Sequence, residues 1–235
     1  MKWRSAAGAG RSGAAALSAA RMTGLMLALT FSTGIVDAVG YLGLDRVFTG
    51  NMTGNVVILG MALVGGDDLP VVGPVVALAG FFAGAVIGGR ILVGGSGAWN
   101  RRTTGVFAAI GLLLSAVCAV LLVDEHPPHG IALGVTGLIG GAMGLQAAAA
   151  RRIGVKDVTT VVVTSTITGL AADSRLAGGP GHQDWRRRSG AVVLILLGAA
   201  VGALLLQWHL AAAVALSAGV TLVVTALGHR FRVDQ

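Results

Sequence analysis

GIVDAVGYLGLDRVFTGNMTGNVVILGMAL, residues 34–63, opens inside an apolar run that carries an aspartate at Asp37, and then breaks into FTGNMTGN (Phe48 to Asn55), dense in Gly, Asn and Thr. Apolar residues resume at once behind the break. A membrane-crossing helix needs about 20 consecutive apolar residues, and irregular backbone at membrane depth is tolerated only where protein or a water-filled cavity satisfies its polar groups. The stretch therefore reads as the end of one span followed by a segment that enters the membrane without crossing it.

The rest of the chain fits a membrane solvent. Of 235 residues, 54% are hydrophobic and 11% charged, and 38 are Gly. Soluble domains carry roughly a quarter charged residues, whereas membrane helices favour small residues that let backbones approach. Eight apolar segments follow one another at about 22–44, 47–66, 70–93, 103–123, 129–150, 158–173, 190–206 and 210–229. Residues 1–20, small and Arg-containing, read as a disordered cytoplasmic tail. Residues 21–235 read as one membrane domain, with halves at about 21–124 and 129–230. The run after Arg21 continues to Leu44 without a cleavage site, so it is a first span and not a signal peptide.

Charge decides between eight crossings and six. If all eight segments cross with the N-terminus inside, Arg101, Arg102, Arg151, Arg152 and Lys156 fall outside, against the positive-inside bias. If the second and sixth return to the side they entered from, the inner loops hold Arg101–Arg102, Arg151–Lys156, Arg175 with Arg186–Arg188, and Arg230 with Arg232. Only Arg46 is then outside, beside Asp45, Asp67, Asp68, Asp124 and Glu125. This gives a cell-membrane protein with both termini cytoplasmic. Trp99, Trp185 and Trp208 end apolar runs, where an amphipathic ring suits the headgroup level. The net charge of +7 sits in these short loops, so it speaks for a lipid bilayer and against nucleic acid.

The two odd segments occupy matching places. Asn51–Asn55 lies over Val162–Thr166, and Gly84-Ala85-Val86-Ile87-Gly88 over Gly198-Ala199-Ala200-Val201-Gly202, at offsets of about 109 to 114 residues. Three crossings per half is an odd number, so the second half would be inverted. The expected fold is an all-α integral membrane protein, about six transmembrane helices plus two re-entrant half-helices in an inverted-repeat bundle.

Two half-helix N-termini would converge at mid-membrane, with Thr53, Asn55, Thr164 and Ser165 suited to cap them. Unpaired amides there favour an anion or the carboxylate of a zwitterion. Asp37, the acidic residue well inside a span, reads either as a site for a coupling proton or cation or as a structural hydrogen bond to Thr33 or Asn51. Gln146, its rough counterpart, reads as helix-packing glue or as a ligand. The expected substrate site is Asp37, Asn51, Thr53, Asn55, Gln146, Thr164 and Thr166.

Other signals carry little. Gly8–Gly13 spells a dinucleotide-type fingerprint but follows no strand. His126-Pro127-Pro128-His129 reads as a turn sooner than a metal site, and His209 as an interfacial cap. Cys118 has no disulfide partner in the chain. No paired carboxylates, zinc-ligand helix or nucleophile elbow is present, which points away from an enzyme and from a cofactor.

Residues 34–63 also resemble the signature of the YoaK-like family of bacterial inner-membrane proteins, an aspartate ahead of F-x-x-x-M-T-G-N, matched here by Asp37, Phe48, Met52, Thr53, Gly54 and Asn55. Gly144-Leu145-Gln146, followed by Thr159-Thr160 and Thr164, is similar to that family's second motif. The resemblance implies about six spans and a bacterial inner membrane, and names no substrate. The functional expectation is a small secondary transporter or permease; the alternative is a non-transporting scaffold or accessory subunit. A homodimer fits either.

Overall fold

The structure, a computed structural model, describes residues 3–66, 68–94, 99–124, 127–154, 163–179 and 185–232. Among them there is no strand. Helix α1 (Trp3–Ala38) runs on into a π-helical turn (Val39–Gly43). Then come α2 (Met52–Leu63), α3 (Val72–Ile91), α4 (Arg101–Val123), α5 (His129–Ile153), α6 (Val163–Ala172), a 3₁₀ turn (Arg175–Ala177), α7 (Trp185–Leu206) and α8 (Leu210–Arg230). Helix α1 starts at Trp3, so the tail expected to be disordered is helical over residues 3–20; its run of Ala is strongly helix-forming.

Six helices are long and apolar enough to cross a membrane: Ala19–Gly43, α3, α4, α5, α7 and α8. The two odd segments yield the short ones. Helix α2 has 12 residues, about 18 Å, and α6 has 10, about 15 Å, each roughly half the hydrocarbon thickness. Local chemistry sets the boundaries. Asn100 caps α4 by accepting from the Thr103 amide at 3.0 Å, and His209 caps α8 by accepting from the Ala211 amide at 3.0 Å. Gly154 closes α5 in the left-handed region at φ 67°, where glycine carries no steric penalty.

Contacts between elements define two ends of the bundle. At one, Arg102 donates to the Val93 carbonyl at 2.9 Å and Arg152 to the Leu92 carbonyl at 3.1 Å. The end of α3, the start of α4 and the end of α5 therefore meet. Arg21 lies 4.8 Å from the centroid of the Phe231 ring, and Trp99 sits against Gly228, which adds the start of the first span and the end of α8. Asp173 and Arg188 pair at 2.8 Å, tying the end of α6 to the start of α7. Opposite, Gly43 packs on Leu206 and Leu210, and Gly73 on Asp45 and Val47. The first end carries the arginine clusters; the second carries Asp45, Arg46, Asp68 and Asp124.

Small residues hold the helices together. Helix α1 lies along α7 and α3 along α5, while α4 packs on α8. A Cβ on Gly198 would strike the Phe31 carbonyl, and one on Gly34 the Ile195 carbonyl. In the other pair, Gly84 faces the Gly141 carbonyl and Gly144 the Phe81 carbonyl. Gly202 rests on Ile35 and Ala38, as Gly88 rests on Leu145 and Ala148. Each of these three contacts of one pair recurs in the other, with 110 added to each α1 number and 114 to each α3 number. Helix α1 also packs on α8 as α5 does on α4, and α2 on α3 as α6 does on α7.

Leu29, Ile35, Val36, Phe107, Ile110, Leu114, Ile139 and Val214 are fully buried at the centre, while Phe82, Leu112, Leu196 and Leu204 stay more than half exposed on the outside. An apolar rim of that kind requires lipid. Several hydroxyls inside the bundle bond across helices or back onto their own helix, while Thr136 Oγ1 is buried without a partner among the described residues. Ser32 and Ser217 meet at 2.6 Å between α1 and α8, and Thr221 and Thr225 donate to the carbonyls four residues earlier. Trp99, expected at the headgroups, is buried instead. It stacks on Phe107 at 5.0 Å and donates to Thr104 Oγ1 at 2.9 Å. Trp185 and Trp208 are exposed.

These close approaches predict an asymmetric response to added volume. Gly84→Val and Gly198→Val force the helix pairs apart and lower stability by about 1–3 kcal/mol or more each. Gly89→Ala, with open space around it, leaves the thermal midpoint of the detergent-solubilised protein near wild type. Equal midpoints for all three would contradict the packing.

Candidate functional site

The site grows from the way α1 ends. The π-helical turn at Val39–Gly43 widens the last turn of the first span, a distortion common near functional sites. The chain then folds back on itself: the Val47 amide donates to the Gly40 carbonyl at 3.2 Å, and only glycine at position 40 leaves room for the Val47 carbonyl. Thr49 Oγ1 donates to the Val36 carbonyl at 2.9 Å. The returning loop is thereby seated on α1 before α2 begins.

Asp37 receives the loop. Its Oδ1 accepts from three consecutive backbone amides, Thr49 at 2.9 Å, Gly50 at 2.7 Å and Asn51 at 3.3 Å. A run of N–H groups around one oxygen is a nest, here filled by the protein's own carboxylate. Gly50 passes so close to Thr33 and Asp37 that a Cβ would collide. Asn51 then caps α2, its Oδ1 accepting from the Gly54 amide at 3.4 Å, and Gly54 lies beneath the Phe48 ring. Asn55 closes the motif: its Oδ1 accepts from the Phe48 amide at 2.8 Å and its Nδ2 donates to the Phe48 carbonyl at 2.5 Å. Each residue of Phe48–Asn55 that looked out of place in an apolar run thus serves the return loop or the cleft it borders.

Beside this loop lies a cleft of about 790 Å³, where α1, α2, α6 and α7 meet. Helix α1 contributes Thr33, Asp37 and Tyr41, at helical spacing on one face. The loop and α2 contribute Phe48, Asn51 and Thr53; α6 contributes Thr164, and α7 Ile195. Tyr41 and Phe48 stack at 5.1 Å. Among the described residues lining the cleft, Asp37 is the charged one.

Four of the seven expected residues, Asp37, Asn51, Thr53 and Thr164, line this cleft. Three do not. Asn55 is fully buried and engaged on Phe48 with both ends of its amide. Gln146 is buried on α5 and reaches the site only through Thr33, donating to Thr33 Oγ1 at 3.0 Å; its own Oε1 is buried without a partner. Thr166 is buried on α6 away from the cleft. The packing register also sets Ala147, not Gln146, opposite Asp37.

Two further expectations need correction. Asn51 caps α2, while Thr53 and Asn55 fall inside its first turns and Thr164 and Ser165 follow the first residue of α6. The amides that run into α2 from the loop, those of Thr49, Gly50 and Asn51, are filled by the Asp37 carboxylate and are not open to an anion. Sequence reasoning passed over Tyr41 and Thr33 as site residues. The signal was the spacing Thr33, Asp37, Tyr41, a polar stripe of period four within an apolar helix. His126 and Thr159–Thr160 lie outside the described residues, and no group of three or more metal-ligating side chains gathers among those described.

The clamp on Phe48 can be tested alone. Asn55→Ala leaves a buried amide and carbonyl unpartnered and lowers stability by about 1–3 kcal/mol. Thr53→Ala, at an exposed position two residues away, changes it by under about 0.5 kcal/mol. Thermal unfolding of both variants in the same detergent separates the two roles.

Comparison with known proteins agrees with this architecture. Residues 25–227 match the model of the family described as protein of unknown function (DUF1275). The chain is 32% identical over 158 residues to the UPF0700 transmembrane protein YoaK of Bacillus subtilis (strain 168), covering 66% of this chain and 68% of that protein. No solved structure matches. With the aspartate, the M-T-G-N turn and six apolar spans all in place, the chain belongs to the DUF1275 family of YoaK-like multi-pass membrane proteins.

Proposed function

We propose that this protein is a small permease in the cytoplasmic membrane, with its solute bound in the Asp37 cleft. The observation that carries the reading is the cleft itself, mostly apolar with a few convergent polar side chains, bordered by both short helices and holding a buried carboxylate. Ligand cavities of several hundred Å³ with a few convergent polar groups are where small solutes bind.

The topology supports it. Asp45, Val47 and Gly73 are in contact, so the chain around α2 leaves and rejoins the bundle at one end. Arg152 at the close of α5, and Arg188 near the start of α7, belong to the opposite end, which makes the segment around α6 a return loop from the other side. On the reading proposed here both short helices are re-entrant, three spans remain in each half, and the halves run inverted, and these contacts support it. Such architectures bind solute at the meeting of their broken helices and alternate access around it. The arginine-rich end faces the cytoplasm by the positive-inside bias, with both termini there.

Side-specific labelling tests the topology. In a Cys118→Ala background, cysteines at Arg46 and Asp68 react with an impermeant maleimide from outside, and cysteines at Gly154 and Arg175 only after the inner face is opened. Labelling of positions 46 and 68 from opposite sides would make α2 a span and remove the inverted repeat.

Transport is tested separately. Solutes are screened for uptake into proteoliposomes; Asp37→Asn reduces the accepted flux at least about tenfold, because a charge at membrane depth is an essential contact in such sites. Thr53→Ala lowers it more modestly. Unaltered flux in Asp37→Asn would leave the scaffold reading in its place.

A further inference from the structure

We infer that the solute of the Asp37 cleft is a small organic cation, an ammonium ion carrying an apolar group. The inference rests on the solute-binding reading of the cleft and adds the charge and chemical class of what it takes. Three observations converge on it.

First, the two oxygens of Asp37 are not equivalent. Oδ1 is occupied by the Thr49, Gly50 and Asn51 amides. Oδ2 accepts no hydrogen bond among the described residues, although Asp37 is only 8% exposed and lines the cleft. A carboxylate oxygen held at that depth without a donor wants a cation, and the nest on Oδ1 fixes the carboxylate so that Oδ2 stays in place.

Second, the cleft disfavours the anion that two half-helix N-termini would suggest. The carboxylate of Asp37, seated on the Thr49, Gly50 and Asn51 amides just ahead of α2, lines the cleft, so an anion entering there would meet a like charge. The available side-chain atoms on Thr33, Asn51, Thr53 and Thr164 include oxygens able to accept from an ammonium N–H.

Third, the remaining wall is aromatic and aliphatic. Tyr41 and Phe48 stack beside Asp37, and Val57, Ile58 and Ile195 complete the lining. Aromatic faces attract organic cations but do not coordinate a bare metal ion. A volume of about 790 Å³ far exceeds what such an ion fills. An ammonium head on Oδ2, with its apolar group along the Tyr41–Phe48 face, uses every part of the lining.

The test uses three probes of one shape and different charge: n-butylammonium chloride, sodium butyrate and n-butanol. Each is titrated into the full-length protein in phosphatidylethanolamine/phosphatidylglycerol nanodiscs, with sodium chloride as the salt control, and the thermal midpoint is read. Butylammonium raises the midpoint in a saturable way, while butyrate and butanol do not. Asp37→Asn weakens the apparent affinity at least about 30-fold, as expected on removing the charge partner. Tyr41→Leu, at a partly exposed position where folding is safe, weakens it about 3- to 10-fold.

A saturable shift with butyrate in place of butylammonium overturns the cation inference and leaves the permease reading standing. A butylammonium shift unchanged in both variants also overturns it, since the binding would then lie elsewhere. No shift with any probe overturns it as well. Binding of butylammonium without movement across proteoliposomes upholds the cation site and defeats the permease instead.

Discussion

A backbone that leaves its helix within a membrane must find partners for its amides inside the protein, because lipid offers none. In this chain a single carboxylate oxygen meets that demand. Asp37 Oδ1 gathers the amides of Thr49, Gly50 and Asn51, and Asn55 takes the amide and carbonyl of Phe48. Without these two side chains the return loop would expose four amides and a carbonyl at depth. With them, the chain can reverse after α1, seat α2 as a short helix, and leave a cleft beside the loop. The choice between Asp37 as a structural residue and Asp37 as a site therefore dissolves. One oxygen is structural, and the other is what the cleft presents.

The same economy of space governs the packing. The helix pairs α1–α7 and α3–α5 approach until glycines rest on carbonyls, a separation at which van der Waals contact replaces the hydrophobic drive that lipid does not supply. Close pairs of this kind are stiff. They hold the two ends of the bundle at fixed distance and confine irregular backbone to the region between α1, α2, α6 and α7. The cleft is consequently bordered by a rigid wall on the α1 and α7 side and by short helices on the other.

Much of this was legible in the sequence, for physical reasons that can be named. Membrane solvent dictates long apolar runs, and charge bias sorts their loops, so six spans and two short segments follow from hydropathy and arginine placement. The Gly84–Gly88 and Gly198–Gly202 stripes announced the packing faces, because only close backbones require such residues. Side-chain roles inside the motif were harder. Asn55 and Asn51 are chemically alike, yet one clamps a backbone and the other caps a helix at the cleft; the difference depends on a loop path that no periodicity encodes. Gln146 looked like the partner of Asp37 by linear alignment, and only the packing register moves the match to Ala147. Trp99 misled for a related reason: its place at the end of an apolar run suits a headgroup anchor, while Gly228 across the bundle leaves a slot that the ring fills.

That register explains why duplicated packing carries unduplicated chemistry. A second cavity of about 470 Å³ is lined by Phe81, Ala147 and Arg151, with Arg152 beside them. Phe81, Ala147 and Arg151 stand where the first cleft has Ile195, Asp37 and Tyr41, by the same offsets that relate the glycine contacts. The buried acid is replaced by a methyl group and the aromatic wall by a guanidinium at the basic end. Arg152 donates to the Leu92 carbonyl at the end of α3 there, so the second cavity sits at the arginine-rich end of the bundle. Two equal acids would place two unpaired charges within one small bundle, each costly to desolvate. Keeping the acid in one half retains the repeated glycine packing of the two helix pairs while leaving a single buried carboxylate among the described residues, Asp37.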